Sequence, residues 1–536
     1  MESRSNLKYI YILKITLSCL IFFFCKLESK GSDWIKTFSD GKPVQVIWVI
    51  ETYDKGYLLV DNETVYSWLI KTDINGNKLW EKRIGDAQHL TYLWNIEQTI
   101  DGGFILGGAF GKYDPNGMAD PVILKLNACG ELEWCSVINT LGIYDGATRV
   151  RPTPEGNYVL STLYSDPNPL NRLQLFKFDG SGNLLWKHNY HPDSLIWSED
   201  DHDVRVDADG YLISAMCYYP DPGNPTVGYE RPYYIKTDTA GNILWWLVYG
   251  SGNGYHGFIW DATIKSTSGN YYSTGVHSNI CDNSALVKCL GDGQESYYHD
   301  FIPGLCPGGY FSSINFSNDT TFISIACGTL NGNAIHRWLT MDTLGVMKTF
   351  KEYPSWICGT THTIRTFDNK FVSVAKVNSF LFYLYKLNSN LEYDSIYTHQ
   401  YIYDSLCPNG VVSDTINPDC GLIVGINDPK TEDESCMLKV YPNPATARVT
   451  VELPECLKTT DKKPGITTST IYYQWKSTLL EVYDLNGKRL FSKEIPKNQQ
   501  RLDLDVSGWK REMYYFRLIY HNQIVAGEKV IIRQTQ

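Results

Sequence analysis

The sequence predicts an all-β protein, a β-propeller followed by a small C-terminal β-sandwich. The segment Lys-Thr-Asp-Ile-Asn-Gly-Asn-Lys-Leu-Trp at residues 71–80 returns in variants at a spacing of about 50 residues, the range of propeller blades. Gly, Tyr and Trp are abundant, with 43, 38 and 15 copies, and they favour strands and tight turns over helices. The C-terminal residues differ in pattern and charge, so we expect a second domain there.

The N-terminus has the features of a secretory signal peptide. Basic residues precede an apolar run at residues 15–25, and a polar stretch follows it. The run is too short for a bilayer span of about 20 residues. A lipoprotein signal through Cys25 is the alternative, but bulky phenylalanines stand where such signals carry small residues. We therefore predict a signal peptide at residues 1–30 and a repeat domain at residues 31–427.

Each repeat ends in a hairpin. A strand ends at Asp or Asn, a Gly supplies the positive φ of the turn, and the next strand carries a Trp. A second turn with Gly precedes each hairpin and leads into a Tyr- or Phe-rich strand. Residues repeated once per unit are expected to pack between blades rather than to bind a ligand. Those assigned this structural role are Gly76, Trp80, Gly103, Trp134, Gly182, Trp186, Gly241 and Trp245.

The repeats predict eight blades, with seven as the alternative. Seven units are complete and an eighth lacks its fourth strand, while residues 33–38, Asp-Trp-Ile-Lys-Thr-Phe, have the pattern of an orphan fourth strand. We expect this strand to close the ring by pairing near residues 421–425, because closure removes exposed strand edges. Over residues 33–436 the units resemble the repeats of exported bacterial β-propellers.

Charge is distributed unevenly along the chain. The formal net charge is −11, but residues 437–536 hold 16 Lys and Arg against 10 Asp and Glu, so the rest of the chain is strongly acidic. An acidic surface repels phosphate, and we therefore expect no nucleic-acid partner.

Fourteen cysteines are present, and two of them lie in the predicted signal peptide. An even number in an exported protein permits disulfides, and buried free thiols are the alternative. The pairs that are close in sequence are the local candidates: Cys129 with Cys135, Cys281 with Cys289, and Cys407 with Cys420.

The C-terminal domain is predicted at residues 437–536, after a linker at 428–436. Two prolines fix an extended entry, an Asn-Gly pair makes a two-residue hairpin turn, and alternating runs predict half-buried strands. The motif residues are Tyr441, Pro442, Asn443, Pro444, Asn486, Gly487 and Lys529. They resemble the type A C-terminal sorting domain of the type IX secretion system. The resemblance implies the outer-membrane secretion machinery as a partner, and export to the cell surface or the medium.

Ionisable residues concentrate at 188–203, where His191, His202 and Asp203 are a possible ligand or metal cluster. Histidines and carboxylates can bind a metal or perform acid/base chemistry. We expect instead a solvated loop between two units, since no second set of ligands converges on it by a recognisable pattern. Asp261 and Asp300 are the only candidates from other blades. We therefore assign no catalytic residue, metal or cofactor.

The sequence favours a binding module. It contains no Gly-rich phosphate loop, G-x-S-x-G or H-E-x-x-H motif. The expected ligand is a glycan or a protein. The aromatics between units are candidates for its surface: Trp94, Trp197, Trp260 and Trp356. The first alternative is a hydrolase or lyase acting on extracellular polysaccharide, with residues 188–203 in the channel, and the second is a structural adhesin.

Overall fold

The computed structural model describes most of the chain beyond the predicted signal peptide. The described residues are 34–63, 66–85, 89–112, 119–138, 148–165, 171–193, 195–221, 224–251, 257–277, 283–300, 310–330, 333–353, 362–423, 438–453, 478–484, 488–496, 499, 501–520 and 523–533. The predicted signal peptide, the linker and the Asn486-Gly487 turn lie outside them. Within these ranges the regular structure is entirely β-strand.

The chain begins with strand β1 (Ile35–Phe38), and successive sheets of antiparallel strands follow in chain order. Sheet 1 contains β2 (Val46–Glu51), β3 (Tyr57–Asn62), β4 (Ser67–Thr72) and β5 (Lys78–Ile84). Sheet 2 contains β6 (His89–Gln98), β7 (Phe104–Lys112), β8 (Asp120–Leu126) and β9 (Leu132–Ile138). Sheet 3 contains β10 (Thr148–Pro152), β11 (Tyr158–Ser165), β12 (Asn171–Phe178) and β13 (Leu184–Tyr190).

Sheets 4 to 6 repeat this arrangement. Sheet 4 contains β14 (Ser198–Asp207), β15 (Gly210–Asp221), β16 (Asn224–Thr237) and β17 (Ile243–Val248). Sheet 5 contains β18 (Gly257–Lys265), β19 (Tyr271–His277), β20 (Asn283–Cys289) and β21 (Glu295–Asp300). Sheet 6 contains β22 (Tyr310–Asn318), β23 (Thr321–Leu330), β24 (Asn333–Asp342) and β25 (Met347–Tyr353).

Sheet 7 joins the two ends of the repeat region. It contains β26 (Thr363–Arg365), β27 (Phe371–Asn378) and β28 (Leu381–Leu387), and β1 is its fourth strand. The first strand of each sheet packs against the first strand of the next, and β26 packs against β2. The sheets therefore form a closed ring, which is a β-propeller with the first strands innermost.

Ring closure confirms the predicted fourth strand but not its predicted partner. The N-terminal segment is the missing fourth strand, as predicted, but its partner is β28, with Ile35 opposite Tyr385 and Phe38 opposite Phe382. Pairing near residues 421–425 is wrong, and the described residues hold seven such sheets with no composite eighth unit. The physical reason is that Gly421–Ile423 finds a different strand to pair with.

Residues 388–423, here called the strap, run back from sheet 7 across sheets 1 and 2. Their strand β29 (Asp414–Ile416) adds to β5 in parallel, and β30 (Gly421–Ile423) adds to β9 in parallel. Asn75 Nδ2 donates to Tyr397 O at 3.0 Å, and Lys82 Nζ pairs with Asp414 Oδ1 at 2.7 Å. The strap thus covers the outer edges of sheets 1 and 2.

Two disulfides fix the strap to sheet 2, joining Cys129 to Cys407 and Cys135 to Cys420. The predicted local pairs among these four cysteines are therefore wrong, because the strap brings distant cysteines together on one edge. Cys289 is a buried free thiol, as is Cys217, and its predicted partner Cys281 lies outside the described residues.

The repeated glycines and tryptophans pack between neighbouring sheets. Trp134 of sheet 2 lies against Gly182 of sheet 3, where a Cβ would approach the indole to 2.7 Å. The same relation joins Trp34 to Gly76, Trp80 to Gly130, Trp186 to Gly241 and Trp245 to Gly293. These five glycines all have positive φ, between 70° and 88°. Each hairpin turn therefore needs Gly both for its backbone and for the tryptophan of the preceding sheet.

In several sheets, a buried lysine binds the turn between the first and second strands. Lys71 binds Asp54 at 2.9 Å, and Lys125 binds Asp101 at 2.9 Å. Gly103 is needed here because a Cβ would lie 2.5 Å from the Lys125 ammonium. These lysines were not predicted from the sequence, although Lys71 and Lys125 each stand two residues before the Asp or Asn of their hairpins.

The C-terminal unit contains two sheets. One contains β31 (Lys439–Tyr441), β32 (Arg448–Glu452) and β35 (Arg501–Asp505). The other contains β33 (Thr478–Tyr483), β34 (Arg489–Ile495), β36 (Met513–Tyr520) and β37 (Gln523–Ile531). Both contribute to a single hydrophobic core, for example through Val451 of β32 and Phe516 of β36.

Candidate functional site

The innermost strands bring polar and aromatic side chains from five sheets to the centre of the ring. We call this group the central cluster. Its members are Trp48 of β2, Glu97 of β6, Arg149 and Arg151 of β10, Asp203 of β14, and His362 immediately before β26. Charged residues are placed at the channel by the alternation along each inner strand, as in Arg149-Val150-Arg151, where Val150 is fully buried.

Arg151 joins three sheets through its guanidinium. Its Nη1 donates to Glu97 Oε1 at 2.6 Å, and its Nη2 donates to Asp203 Oδ1 at 2.7 Å. The side chains of Arg151 and Glu97 are 18% and 27% exposed, whereas that of Asp203 is 6% exposed. The cluster therefore has a partly accessible end at Glu97 and Arg151.

Trp48 is enclosed between an imidazole and two guanidinium groups. The rings of Trp48 and His362 are stacked, with centroids 3.6 Å apart and an interplanar angle of 15°. The guanidinium carbons of Arg149 and Arg151 lie 5.7 and 5.4 Å from the indole centroid. Cation–π attraction holds these guanidinium groups beside the indole, which the imidazole stacks on.

Burial sets the protonation states in this cluster. Burial and the positive charge of Arg151 lower the pKa of His362 to about 3, so its ring is neutral near pH 7. Val49 fixes that ring, with its carbonyl oxygen 3.0 Å from His362 Nδ1. Burial also raises the pKa of Glu97, although the Arg151 charge opposes this shift. Glu97 thus takes up a proton more readily than a free glutamate side chain does.

Two of the three residues proposed from the 188–203 segment lie on one inner strand, and the third lies outside it. Asp203 belongs to the central cluster, and His202, also on β14, is buried. The expected solvated loop is therefore wrong for these two, because this run of polar residues forms an inner strand on which Asp203 pairs with Arg151. His191 is exposed in the segment that precedes β14. The side chains of Asp261 and Asp300 lie outside the described part.

The tryptophans proposed as a ligand surface lie in different surroundings. The guanidinium carbon of Arg149 lies 6.0 Å from the Trp94 ring centroid, so Trp94 borders the central cluster. Trp197 is 36% exposed and packs on Gly228. Trp260 lies in β18, but its side chain is outside the described part, and Trp356 is outside the described residues. The repeat patterns did not indicate five residues of this cluster, although charges at alternate positions before a Gly turn, as at 149 and 151, are a signal for such a site: Trp48, Glu97, Arg149, Arg151 and His362.

Neither a metal site nor a membrane helix is found in the described part of the chain. No group of three or more His, Cys, Asp or Glu among these residues is arranged to hold a metal ion. No helix there is both long and apolar enough to cross a bilayer.

The entry motif of the C-terminal unit is tied to its last strand. Asn443 Nδ2 donates to Lys529 O at 2.6 Å, and Ile531 N donates to Asn443 Oδ1 at 2.9 Å. The Tyr441–Pro442 and Asn443–Pro444 peptide bonds are both cis. A family model described as "Secretion system C-terminal sorting domain" matches residues 439–533. Residues 439–533 are a type IX sorting domain. The protein is therefore exported through the type IX secretion system, to the cell surface or the medium.

Other comparisons give no further assignment. No curated protein matches the chain. Solved structures that match include YCF48 from Cyanidioschyzon merolae, with 10% identity, a TM-score of 0.39, and coverage of 65% of this chain and 98% of that one. The BP39L lectin from Burkholderia pseudomallei has 9% identity, a TM-score of 0.40, and coverage of 68% and 98%. An α-L-arabinanase from Penicillium chrysogenum has 13% identity, a TM-score of 0.35, and coverage of 58% and 99%.

Proposed function

We propose that this protein is an exported seven-bladed β-propeller that binds a glycan at one end of its channel. In this proposal the seven sheets are the blades, and residues 31–427 form the binding domain. A signal peptide at 1–30 starts export, a linker at 428–436 follows the propeller, and residues 437–536 are a β-sandwich that engages the outer-membrane secretion machinery. The alternative within this proposal is a binding domain whose ligand is a protein.

The observation that supports binding is the position of Arg151 between the two carboxylates of the cluster. A glycosidase that uses two carboxyl groups needs one to donate a proton and the other to act as a base or nucleophile. Here one guanidinium holds both Glu97 and Asp203 at hydrogen-bond distance. Such a closed network presents donors and acceptors in fixed positions, which suits recognition of hydroxyl groups rather than proton transfer.

A hydrolase or lyase acting on extracellular polysaccharide is the second candidate. It is favoured by the arrival of two carboxyl groups from different sheets at the channel, one of which, Glu97, has a raised pKa. Carboxyl groups whose environments separate their pKa values are typical of acid/base pairs.

The test compares the mature chain with its Glu97→Gln and Asp203→Asn variants, using glycan-array binding and release of reducing ends. Glu392→Gln is the control, since this side chain is 59% exposed and lies on the strap. We expect glycan binding by the wild type and the control, weakened in both cluster variants, without release of reducing ends. Reducing ends that the wild type releases and the Glu97 variant does not would establish the hydrolase instead.

A further inference from the structure

Strands β2 and β26 end beside the strap, where Phe367 contacts Tyr401 and Asp404 N donates to Asp54 Oδ2 at 3.0 Å. These strands run in the same direction, because His362 stacks on Trp48 at their beginnings and Phe367 N donates to Glu51 Oε2, at 2.9 Å, at their ends. We call the surface there the strap mouth. It comprises Phe367, its contacts Lys55 and Tyr401, of which Tyr401 belongs to the strap, and Arg365, the exposed last residue of β26 two positions before Phe367.

Two aromatic rings form the floor of the strap mouth. Phe367 is 43% exposed, and its ring centroid lies 6.2 Å from that of Tyr401 at an angle of 74°. The Tyr401 ring is itself in contact with His399, at 4.6 Å between centroids. Exposed rings of this kind are suited to the apolar faces of sugar rings. The disulfides fix the strap, and with it the position of Tyr401.

Two cations border these rings. The Lys55 ammonium lies 4.8 Å from the Phe367 centroid, and Arg365 is exposed, with Nη2 donating to Asn369 Oδ1 at 2.7 Å. Within the described residues, neither Lys55 nor Arg365 has a carboxylate at ion-pair distance. This contrasts with Lys71, Lys125 and Arg151, which are each paired.

The acidic groups near the strap mouth are already engaged. Glu51 accepts the Phe367 amide hydrogen, and burial raises its pKa. Asp368 accepts from Lys386 Nζ at 3.1 Å and from the Tyr397 hydroxyl. Lys55 and Arg365 supply positive charge at the mouth, and Lys55 also attracts the Glu51 carboxylate, although the repeat region as a whole is acidic.

We propose that the strap mouth binds an acidic polysaccharide built from uronic acids. The sugar rings would stack on Phe367 and Tyr401, and their carboxylates would pair with Lys55 and Arg365. Charge complementarity selects an anion, and the exposed rings select a saccharide over an acidic peptide. This inference rests on the proposed glycan-binding function and specifies the class of glycan.

The test uses polygalacturonate and alginate as ligands, with methyl-esterified polygalacturonate and poly-glutamate as comparisons. Titration calorimetry is performed on the mature chain and on Lys55→Gln, Arg365→Gln and Phe367→Ala variants. Lys348→Gln is the matched control, because this lysine is 53% exposed on sheet 6, away from the mouth. We expect a uronate polymer to bind about tenfold more weakly to each mouth variant. We also expect affinity to fall as salt rises, because salt screens exposed ion pairs.

Three results would overturn the inference. Equal affinity for the methyl-esterified polymer would show that the carboxylates of the ligand are not required. Binding of a neutral glycan alone would place the ligand outside the uronic acid class. In both cases the proposed glycan-binding function stands. Binding of poly-glutamate in place of both uronate polymers would make the mouth a peptide site. Failure to bind any glycan on the array would instead contradict the proposed function itself.

Discussion

The guanidinium carbon of Arg151 lies 5.4 Å from the centroid of the Trp48 indole, although these residues belong to sheets 3 and 1. Contact between sheets that are not neighbours in the ring means that side chains cross the channel. With His362 of sheet 7 on Trp48 and Asp203 of sheet 4 on Arg151, one connected group of side chains links four sheets. The central cluster is therefore expected to stabilise the ring as well as to form part of its ligand site.

Replacing Arg151 by Met should destabilise the propeller, because the carboxylates of Glu97 and Asp203 would lose the cation between them. Loss of one partner from a largely buried ionic group costs about 3 kcal/mol or more. Lys351→Met should cost under about 1 kcal/mol, since that lysine and Glu392 are 41% and 59% exposed. Urea unfolding measures both. Equal effects would mean that the cluster does not cross-brace the ring.

Removing the disulfides should loosen the strap and lower the stability of the ring. The bonds span 278 and 285 residues, and a native disulfide typically contributes about 2–4 kcal/mol. We expect a Cys135→Ala, Cys420→Ala variant to melt at a lower temperature than the wild type. Removing all four cysteines of these disulfides should reduce the sensitivity of the melting temperature to reductant, while Cys217 and Cys289 remain. A melting temperature that reductant does not change in the wild type would contradict this role.

His362 should make the protein less stable in acid. Its pKa is about 3 when folded and near 6.5 as a free side chain, so the unfolded chain binds the proton more tightly. The free energy of unfolding that neutral His362 contributes is fully present above pH 6.5. It falls as pH decreases from 6.5 towards 3, by up to about 1.4 kcal/mol per pH unit. A His362→Phe variant keeps the stacked ring without the titration. Its free energy of unfolding should fall less steeply over this range, and matching slopes would refute the assignment.

Closure by β1 should be essential for cooperative folding. Trp34 is fully buried, contacts Tyr57 at 6.0 Å between ring centroids, and packs on Gly76 of sheet 1. Trp34→Ala should cost about 3–5 kcal/mol, the usual range for a buried aromatic. Trp197→Ala, at a residue 36% exposed, should cost less. Deleting residues 33–38 should abolish the cooperative melting transition, and an unchanged transition would rule out this closure.

The sorting domain should direct export without the propeller. A reporter fused behind a signal peptide to residues 437–536 should reach the surface of a host with the type IX machinery. Asn443→Ala should reduce export, because it removes both hydrogen bonds between the entry motif and the last strand. Retention of the unmodified fusion in the periplasm would show that the propeller is also required.

Local patterns in the sequence revealed much of the fold but little of the site. The turn at Gly182 and the fourth strand at Ile35–Phe38 could be predicted, since their signals lie within a few consecutive residues. The strap could not be predicted, because β30 pairs in parallel with β9, which lies nearly 300 residues earlier. No local turn signal marks such a pairing.

The central cluster was hidden for a related reason. His362 and Val49, which are in hydrogen-bond contact, stand 313 residues apart. Asp203 lies in a polar run that lacks the apolar alternation of a half-buried strand, and such a run is read as a loop. Only ring closure shows that these residues face one channel.

Polysaccharide chain length during binding tests most directly whether the propeller binds its glycan without cleaving it. The mature chain would be incubated with polygalacturonate, alginate and neutral glycans, with affinity measured by calorimetry and products analysed by size-exclusion chromatography and mass spectrometry. We expect saturable binding of a uronate polymer that is recovered at its original length. Shortened or unsaturated products that disappear with Glu97→Gln would contradict it and make the central cluster an active site.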